Sequence, residues 1–173
     1  MRTRGDELLL GEWCCLGLLA SSRAHGFALA KRLAPNGDIG RIWSVSRALT
    51  YRALMMLEQR GLIVAVASER GVAGGDRTIY APTRAGRTSL RRWLKTPVAH
   101  VRDVRSELLV KLELCRLLKL DPASLIESQR AHFRSMAPSR QARTADPVEV
   151  WRQETIAAVF RFLDRLDAGA HAQ

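Results

Sequence analysis

Apolar residues first fall into step at Leu9, Trp13, Leu16 and Ala20, the i, i+4, i+7, i+11 spacing of one helical face. The spacing predicts a helix over about 7–21, ended by Ser21-Ser22. A second, short helix is expected from about His25 to Ala34, with Phe27, Leu29, Ala30 and Leu33 apolar and Lys31 and Arg32 exposed. Pro35-Asn36-Gly37 closes it, because proline removes a donor and Asn-Gly suits a turn. Ser44 or Ser46 can cap a third helix to Arg60, and Gly61 stands where a left-handed C′ residue belongs. In that helix Leu49, Leu54 and Leu57 are expected in the core, beside Ala53 and Met56. Arg47, Tyr51, Arg52, Met55 and Gln59 fall on the opposite side.

The period then changes. Residues 62–67 and 77–81 are short, rich in β-branched side chains and separated by Gly71-Val72-Ala73-Gly74-Gly75-Asp76, the pattern of a β-hairpin with a Gly-rich tip. Thr83 can cap a fourth helix over about 84–95, which Thr96-Pro97 stops. Three helices and a hairpin, in that order, are the order of a winged helix-turn-helix. Beyond it, Val104, Leu108, Leu112 and Cys115 form a stripe that Leu109, Leu114 and Leu117 widen. Asp121-Pro122 and Asp146-Pro147 each place a capping carboxylate before a proline at N1, starting helices over about 122–136 and 147–167. Pro138 to Ala145 is expected as an exposed loop. The last helix carries Trp151, Ile156, Val159, Phe160, Phe162, Leu163 and Leu166, more of its circumference than one packing surface needs. The expected fold class is therefore mainly α with a small β-hairpin wing. A winged helix-turn-helix domain over 1–96 is followed by a C-terminal helical dimerisation region over 97–173.

Composition leaves this picture standing. The 173 residues are 47% hydrophobic and 26% charged, with 12 Gly, 6 Pro and 3 Cys, which excludes disordered, collagenous and disulfide-dense classes. No run reaches the roughly 18 apolar residues that span a bilayer. The opening has Arg2 and Arg4 ahead of an apolar stretch, but Asp6, Glu7 and Glu12 interrupt it, which argues against export.

Charge adds a partner. The net charge is +11, which suits a polyanion. Residues 1–95 hold 16 Lys+Arg against 7 Asp+Glu, a balance of +9, while 96–173 hold 12 against 10, a balance of +2. Stretches 39–57 and 77–102 contain no acid at all. A GC-rich coding bias explains 24 Arg against 4 Lys; it does not explain why the excess sits in the first half.

Enzymatic and metal chemistry find little support. Cys14, Cys15 and Cys115 lack metal-ligand spacing, and His25, His100, His132 and His171 are scattered. No phosphate loop, dinucleotide fingerprint or nucleophile elbow is present. The cysteines read as small hydrophobes on helical faces rather than redox sensors.

The ordered set of residues resembles the PadR family of transcriptional regulators. The matching positions are His25 and Gly26; Trp43, Ser46, Tyr51, Leu54, Leu57, Glu58, Gly61, Leu62 and Ile63; then Tyr80, Thr83 and Gly86. The resemblance covers about 8–95, and 103–118 is similar to the helical C-terminal region of longer members. Three positions depart from the family pattern: Phe27 replaces a common Tyr, and Arg47 and Arg52 stand where proline is frequent. The resemblance implies a homodimeric, usually repressing regulator in the cytoplasm. It also implies binding to a pseudo-palindromic operator in double-stranded DNA, release by a small-molecule or stress signal, and no cofactor.

The second of two crossed helices enters the major groove in helix-turn-helix docking. On that geometry Arg47 and Arg52 are candidates for guanine edges or phosphates. Ser44, Ser46 and Tyr51 are candidates for phosphate contacts, as is His25 at its helix start. Arg70 and Arg77 flank the wing tip and can reach backbone or minor groove. The plainer readings stand beside these: Ser46 as a cap only, Tyr51 packed on the hairpin, His25 a capping imidazole, the wing arginines a solvated face. Trp13, Trp93 and Trp151 lie on helices that such a dimer brings near its junction, where a flat apolar effector would suit an aromatic cavity; ordinary packing is the plainer account. A different class remains open, a winged-helix adaptor that binds a protein and has no operator.

Overall fold

The computed structural model describes residues 7–70, 75–136 and 146–170. Most of the wing tip and the whole 138–145 loop therefore lie outside the described residues. The chain divides into two units, Met1–Leu94 with Leu109–Leu120, and Lys95–Leu108 with Asp121–Gln173.

In the first unit, α1 (Leu10–Ser21) runs as a core helix rather than a striped one. Cys14, Cys15, Leu16 and Leu18 are wholly buried, and a helix apolar on several sides belongs inside. Leu9, expected on its buried face, is 72% exposed: it is the N-cap, and its N–H donates to the Glu12 carboxylate. A two-residue strand β1 (Ala24–His25) then leads into α2 (Gly26–Leu33), which buries Leu29 and Leu33. Arg32, expected in solvent, is half-buried and forks onto Asp38. Burial would raise the Asp38 pKa, but the Arg32 guanidinium outweighs it and holds the carboxyl below its ordinary value.

Helix α3 (Arg47–Gln59) begins at Ser46, whose hydroxyl accepts the Leu49 N–H at 3.3 Å. It ends as expected at Gly61, with φ +64°. The Gly61 N–H donates to Glu58 O and that of Leu62 to Leu57 O, the paired bonds of a Schellman motif. The buried side is Thr50, Ala53, Leu54 and Leu57. Leu49, expected in the core, is 54% exposed, because the i, i+3, i+4, i+7 set centres on Thr50 and turns Leu49 about a quarter of the circumference away. Thr50 is tolerated inside because its hydroxyl donates to Ser46 O at 3.0 Å.

Strands β2 (Ile63–Arg70) and β3 (Asp76–Pro82) pair antiparallel, with an irregularity between Ala65 and Ala67. The sheet order is β1-β3-β2, with Ala24 opposite Tyr80 and His25 opposite Ile79. The wing is thus a three-stranded sheet; two residues of β1 are too few to show a period in sequence. Thr83 caps α4 (Arg84–Lys95) by accepting the Gly86 N–H, and its hydroxyl also donates to Gly61 O at 2.7 Å.

The first unit breaks off after Leu94 and resumes at Leu109. Helix α5 (Leu109–Leu117) returns to it. Val110 and Leu114 are wholly buried, Leu112 only partly. A Cβ on Gly17 of α1 would stand 2.5 Å from Leu114 Cδ1, so any larger residue would have to displace the Leu114 side chain. Lys119, with φ 54°, ends α5 in the left-handed region usually given to glycine.

In the second unit a 3-10 turn (Val101–Asp103) and a π-helical turn (Val104–Leu108) precede α5, and α6 (Ala123–Met136) packs against α7 (Pro147–Ala170). Both predicted caps form: Asp121 accepts the Ala123 N–H and Asp146 that of Val148. Gln129, wholly buried, accepts from Val98 N–H and donates to Val98 O. Arg130 joins Asp164 and Asp167 of α7.

Candidate nucleic-acid interface

Four of the residues singled out from the sequence meet in one place. His25, Arg47, Tyr51 and Arg77 line an open groove of about 580 Å³ with Gly26, Phe27 and Tyr80. The end of β1 with the start of α2, one side of α3 from Arg47 to Glu58, and β3 from Asp76 to Tyr80 form its walls. His25 caps α2, its Nδ1 accepting the Ala28 N–H at 3.1 Å, so the capping role holds and leaves Nε2 uncommitted by that bond. Gly26 lets Tyr51 cross close by: a Cβ there would lie 2.7 Å from Tyr51 Cε1 and would have to displace the ring.

Arg47 is the first residue of α3 and is exposed. Its Cζ lies 5.3 Å from the centroid of the Phe27 ring and 5.8 Å from that of Tyr51. Arg77 Cζ lies 5.9 Å from the Phe27 centroid and Lys31 Nζ 4.9 Å. Glu58 and Asp76 also line the groove, yet among the described residues no ion pair joins either to Arg47 or Arg77. Burial, and then the Glu58 charge, push the Tyr80 hydroxyl above the ordinary phenol range, which keeps it a hydrogen-bond donor.

The remaining candidates lie outside the groove. Ser44 and Ser46 are exposed just before α3, Ser46 spending an acceptor on the cap. Arg52 is exposed about 100° round α3 from Tyr51. Arg70 is exposed at the outer end of β2. Phe27 and Lys31 are additions from the structure; the signal for them was their i, i+4 spacing on α2, which reads as an ordinary surface pair until Arg47 and Arg77 are seen to share the ring.

The tryptophans separate. Trp13 and Trp93 stack at 4.8 Å between centroids and 6° between planes, and Lys111 Nζ lies 4.8 Å from the Trp93 centroid. At that separation nothing fits between the two rings. Trp151 lies on α7 in the second unit, 72% exposed. Burial pushes the Cys14 and Cys15 thiols up, Cys15 to about 12, and a thiol held protonated and covered is a poor redox sensor. Among the described residues no group of His, Cys, Asp or Glu could hold a metal ion, and no helix is long and apolar enough to cross a membrane.

A capped, exposed helix following a second helix, flanked by a β-wing that carries Arg70 and Arg77, defines a winged helix-turn-helix protein. Residues 15–92 match the transcriptional regulator PadR-like family. A PadR-like transcriptional regulator from Bacillus cereus is similar in structure at 23% identity, covering 47% of this chain and 74% of that one, TM-score 0.38. Bacillus subtilis PadR in complex with operator DNA is similar at 14% identity over 93% of this chain and 96% of that one, TM-score 0.48. The same Bacillus subtilis protein, in a second structure, gives 18% identity, 92% of each chain and a TM-score of 0.43. No protein of curated function matches the chain.

Proposed function

We propose that this chain is a DNA-binding transcriptional regulator, a homodimeric repressor that lays its two α3 helices in the major groove of a pseudo-palindromic operator. The observation that carries the reading is Arg47, exposed at the N-terminal end of a capped α3 and beside Arg77 of the wing, with no ion pair on either among the described residues. N-terminal residues of the recognition helix approach base edges, so Arg47 and Arg52 are assigned to guanine edges or to phosphates. Ser44, Ser46, Tyr51 and His25 serve phosphates, and Arg70 and Arg77 hold the flanking backbone.

A second copy is proposed to cover α7. Among its described apolar side chains only Val159 and Leu163 are buried, while Val148, Val150 and Trp151 stand exposed, more apolar surface than a monomer usually leaves in water. Helix α5, expected to share that role, contributes less because its own unit buries Val110, Leu114 and Cys115. Light scattering should give a mass near twice 19.3 kDa; a monodisperse monomer at micromolar concentration would remove the dimer. Half-sites then lie about 34 Å apart or a multiple of it.

Titration of duplex carrying the promoter beside the gene, at several salt concentrations, tests the whole. Counterion release makes log K fall linearly with log salt. An adaptor would show only weak binding with no preference for that promoter.

A further inference from the structure

Phe27 has no hydroxyl, so it cannot hydrogen-bond a phosphate as a tyrosine there would. It is nonetheless the point on which the basic face converges. Lys31 of α2, Arg47 of α3 and Arg77 of β3 each place their charge within 6 Å of its ring centroid, at 4.9, 5.3 and 5.9 Å. These groups belong to three different elements, and Arg47 lies over Tyr51 as well. Phe27 and Arg47 line both the groove that holds Arg77 and the adjacent hollow that holds Lys31.

A ring attracts a cation through its quadrupole but carries no net charge. Three cations gathered on one neutral ring therefore still repel one another, and among the described residues none of the three has a carboxylate partner. Arginines elsewhere in the chain show the usual solution, with Arg32 on Asp38 and Arg116 on Glu113. Glu58 and Asp76 line the same groove, yet among the described residues the Phe27 cluster lacks a carboxylate at ion-pair distance. It lies beside the first turn of α3, and the helix that precedes a recognition helix crosses the DNA backbone.

We propose that Phe27 is a positioning residue that preassembles Lys31, Arg47 and Arg77 into one seat for the phosphodiester backbone of duplex DNA. The proposal rests on the DNA-binding reading above and adds two residues to it, Lys31 as a phosphate ligand and Phe27 as the group that holds the ligands ready. Cations already held against a ring lose less side-chain freedom on binding than cations swinging in water. The ring also links wing to recognition helix, so neither arginine acts alone.

The contacts are to backbone, so no operator is needed for the test. The probe is a mixed-sequence duplex of about 30 base pairs, roughly three helical turns, titrated with the full chain at low salt. Phe27→Leu keeps an apolar side chain of similar bulk and removes the ring, and should weaken binding about fivefold or more. Phe27→Tyr keeps the ring and should bind within about twofold of wild type. In an Arg47→Ala, Arg77→Ala background, Phe27→Leu should cost less than about twofold, because two of the three charges it holds are gone. Circular dichroism of each variant checks that the fold persists, which the partial exposure of Phe27 favours. If Phe27→Leu binds like wild type while Arg47→Ala loses affinity, the positioning role is overturned and the DNA reading stands. If the Phe27→Leu loss is undiminished in the double-alanine background, the ring acts through packing and the proposal is likewise overturned. If wild type fails to bind the duplex at all, the DNA reading falls and this inference falls with it.

Discussion

Two sets of arginines in this chain look alike in sequence and differ in their surroundings. Behind α2, Arg32 forks onto Asp38, and Arg41 and Arg116 share the largely buried Glu113. In the second unit Arg130 spans Asp164 and Asp167. At the groove, Arg47 and Arg77 meet aromatic rings instead, and neither they nor Arg52 forms an ion pair among the described residues. The difference teaches that arginine number marks no site. An arginine with a carboxylate has its anion and serves the fold. One held against a ring without an ion pair keeps its charge open to a polyanion.

Substitutions in the two sets should therefore separate binding from stability. The largest effects are expected on α3: Arg47→Ala at the groove and Arg52→Ala beside it should each weaken promoter binding by about 1–3 kcal/mol if they read bases, with the melting temperature nearly unchanged. Competition titrations and thermal melts on the same samples check this, and wild-type affinity in both variants would move the docking face elsewhere. Next comes the other set. Arg32→Ala should cost roughly 1–2 kcal/mol of stability, because it strands the half-buried Asp38, while DNA affinity per folded molecule holds.

The acid limb of stability follows from the same pairs. The Glu113 carboxyl is lowered first by its hydrogen bonds from Arg116, and Asp38 is held down by Arg32 against its burial. A lowered carboxyl contributes stability above its unfolded value. That contribution is lost as pH falls through the ordinary carboxylate range toward the folded value. Melts between pH 7 and pH 3 should show the loss, and Arg32→Ala should flatten it.

Arg77→Ala is expected to be milder and of a different kind. It should weaken promoter and random duplex by similar factors and make the log K against log salt line shallower by about one. Loss of promoter preference at unchanged slope would instead make the wing a reader of bases or groove shape. Smallest is Lys119→Gly, away from both sets. Relieving a non-glycine residue at φ 54° should stabilise the first unit by about 0.5–1 kcal/mol, with DNA binding untouched as the control.

Local chemistry carried most of what the sequence made legible. Ser46, Thr83, Asp121 and Asp146 cap the helices expected of them, and Gly61 takes the left-handed turn; each is decided within three or four residues. Periodicity did less well wherever a face is set by a distant neighbour. Leu9 and Leu49 are in step with apolar stripes yet exposed, because a cap and the Thr50 side fix those helices' orientations. Of the site, Arg47, Tyr51, His25 and Arg77 were legible as basic or polar groups at helix starts and wing. Their meeting in one groove around Phe27 was not, since it depends on β3 bringing residue 77 back beside residue 27.

The closeness of α1 and α5 has a consequence for how the molecule is made. Gly17 admits Leu114, so the winged unit is completed by residues that follow a fourteen-residue excursion, 95–108, into the other unit. A fragment stopped at residue 96 would carry every groove residue and still leave that side of α1 bare. Translation meets the same gap in time. At about 5–20 residues per second, synthesis from residue 96 to residue 120 takes on the order of 1–5 seconds. During that interval the nascent winged unit holds α3 without α5, and its apolar flank is open to chaperones or to a neighbouring nascent chain.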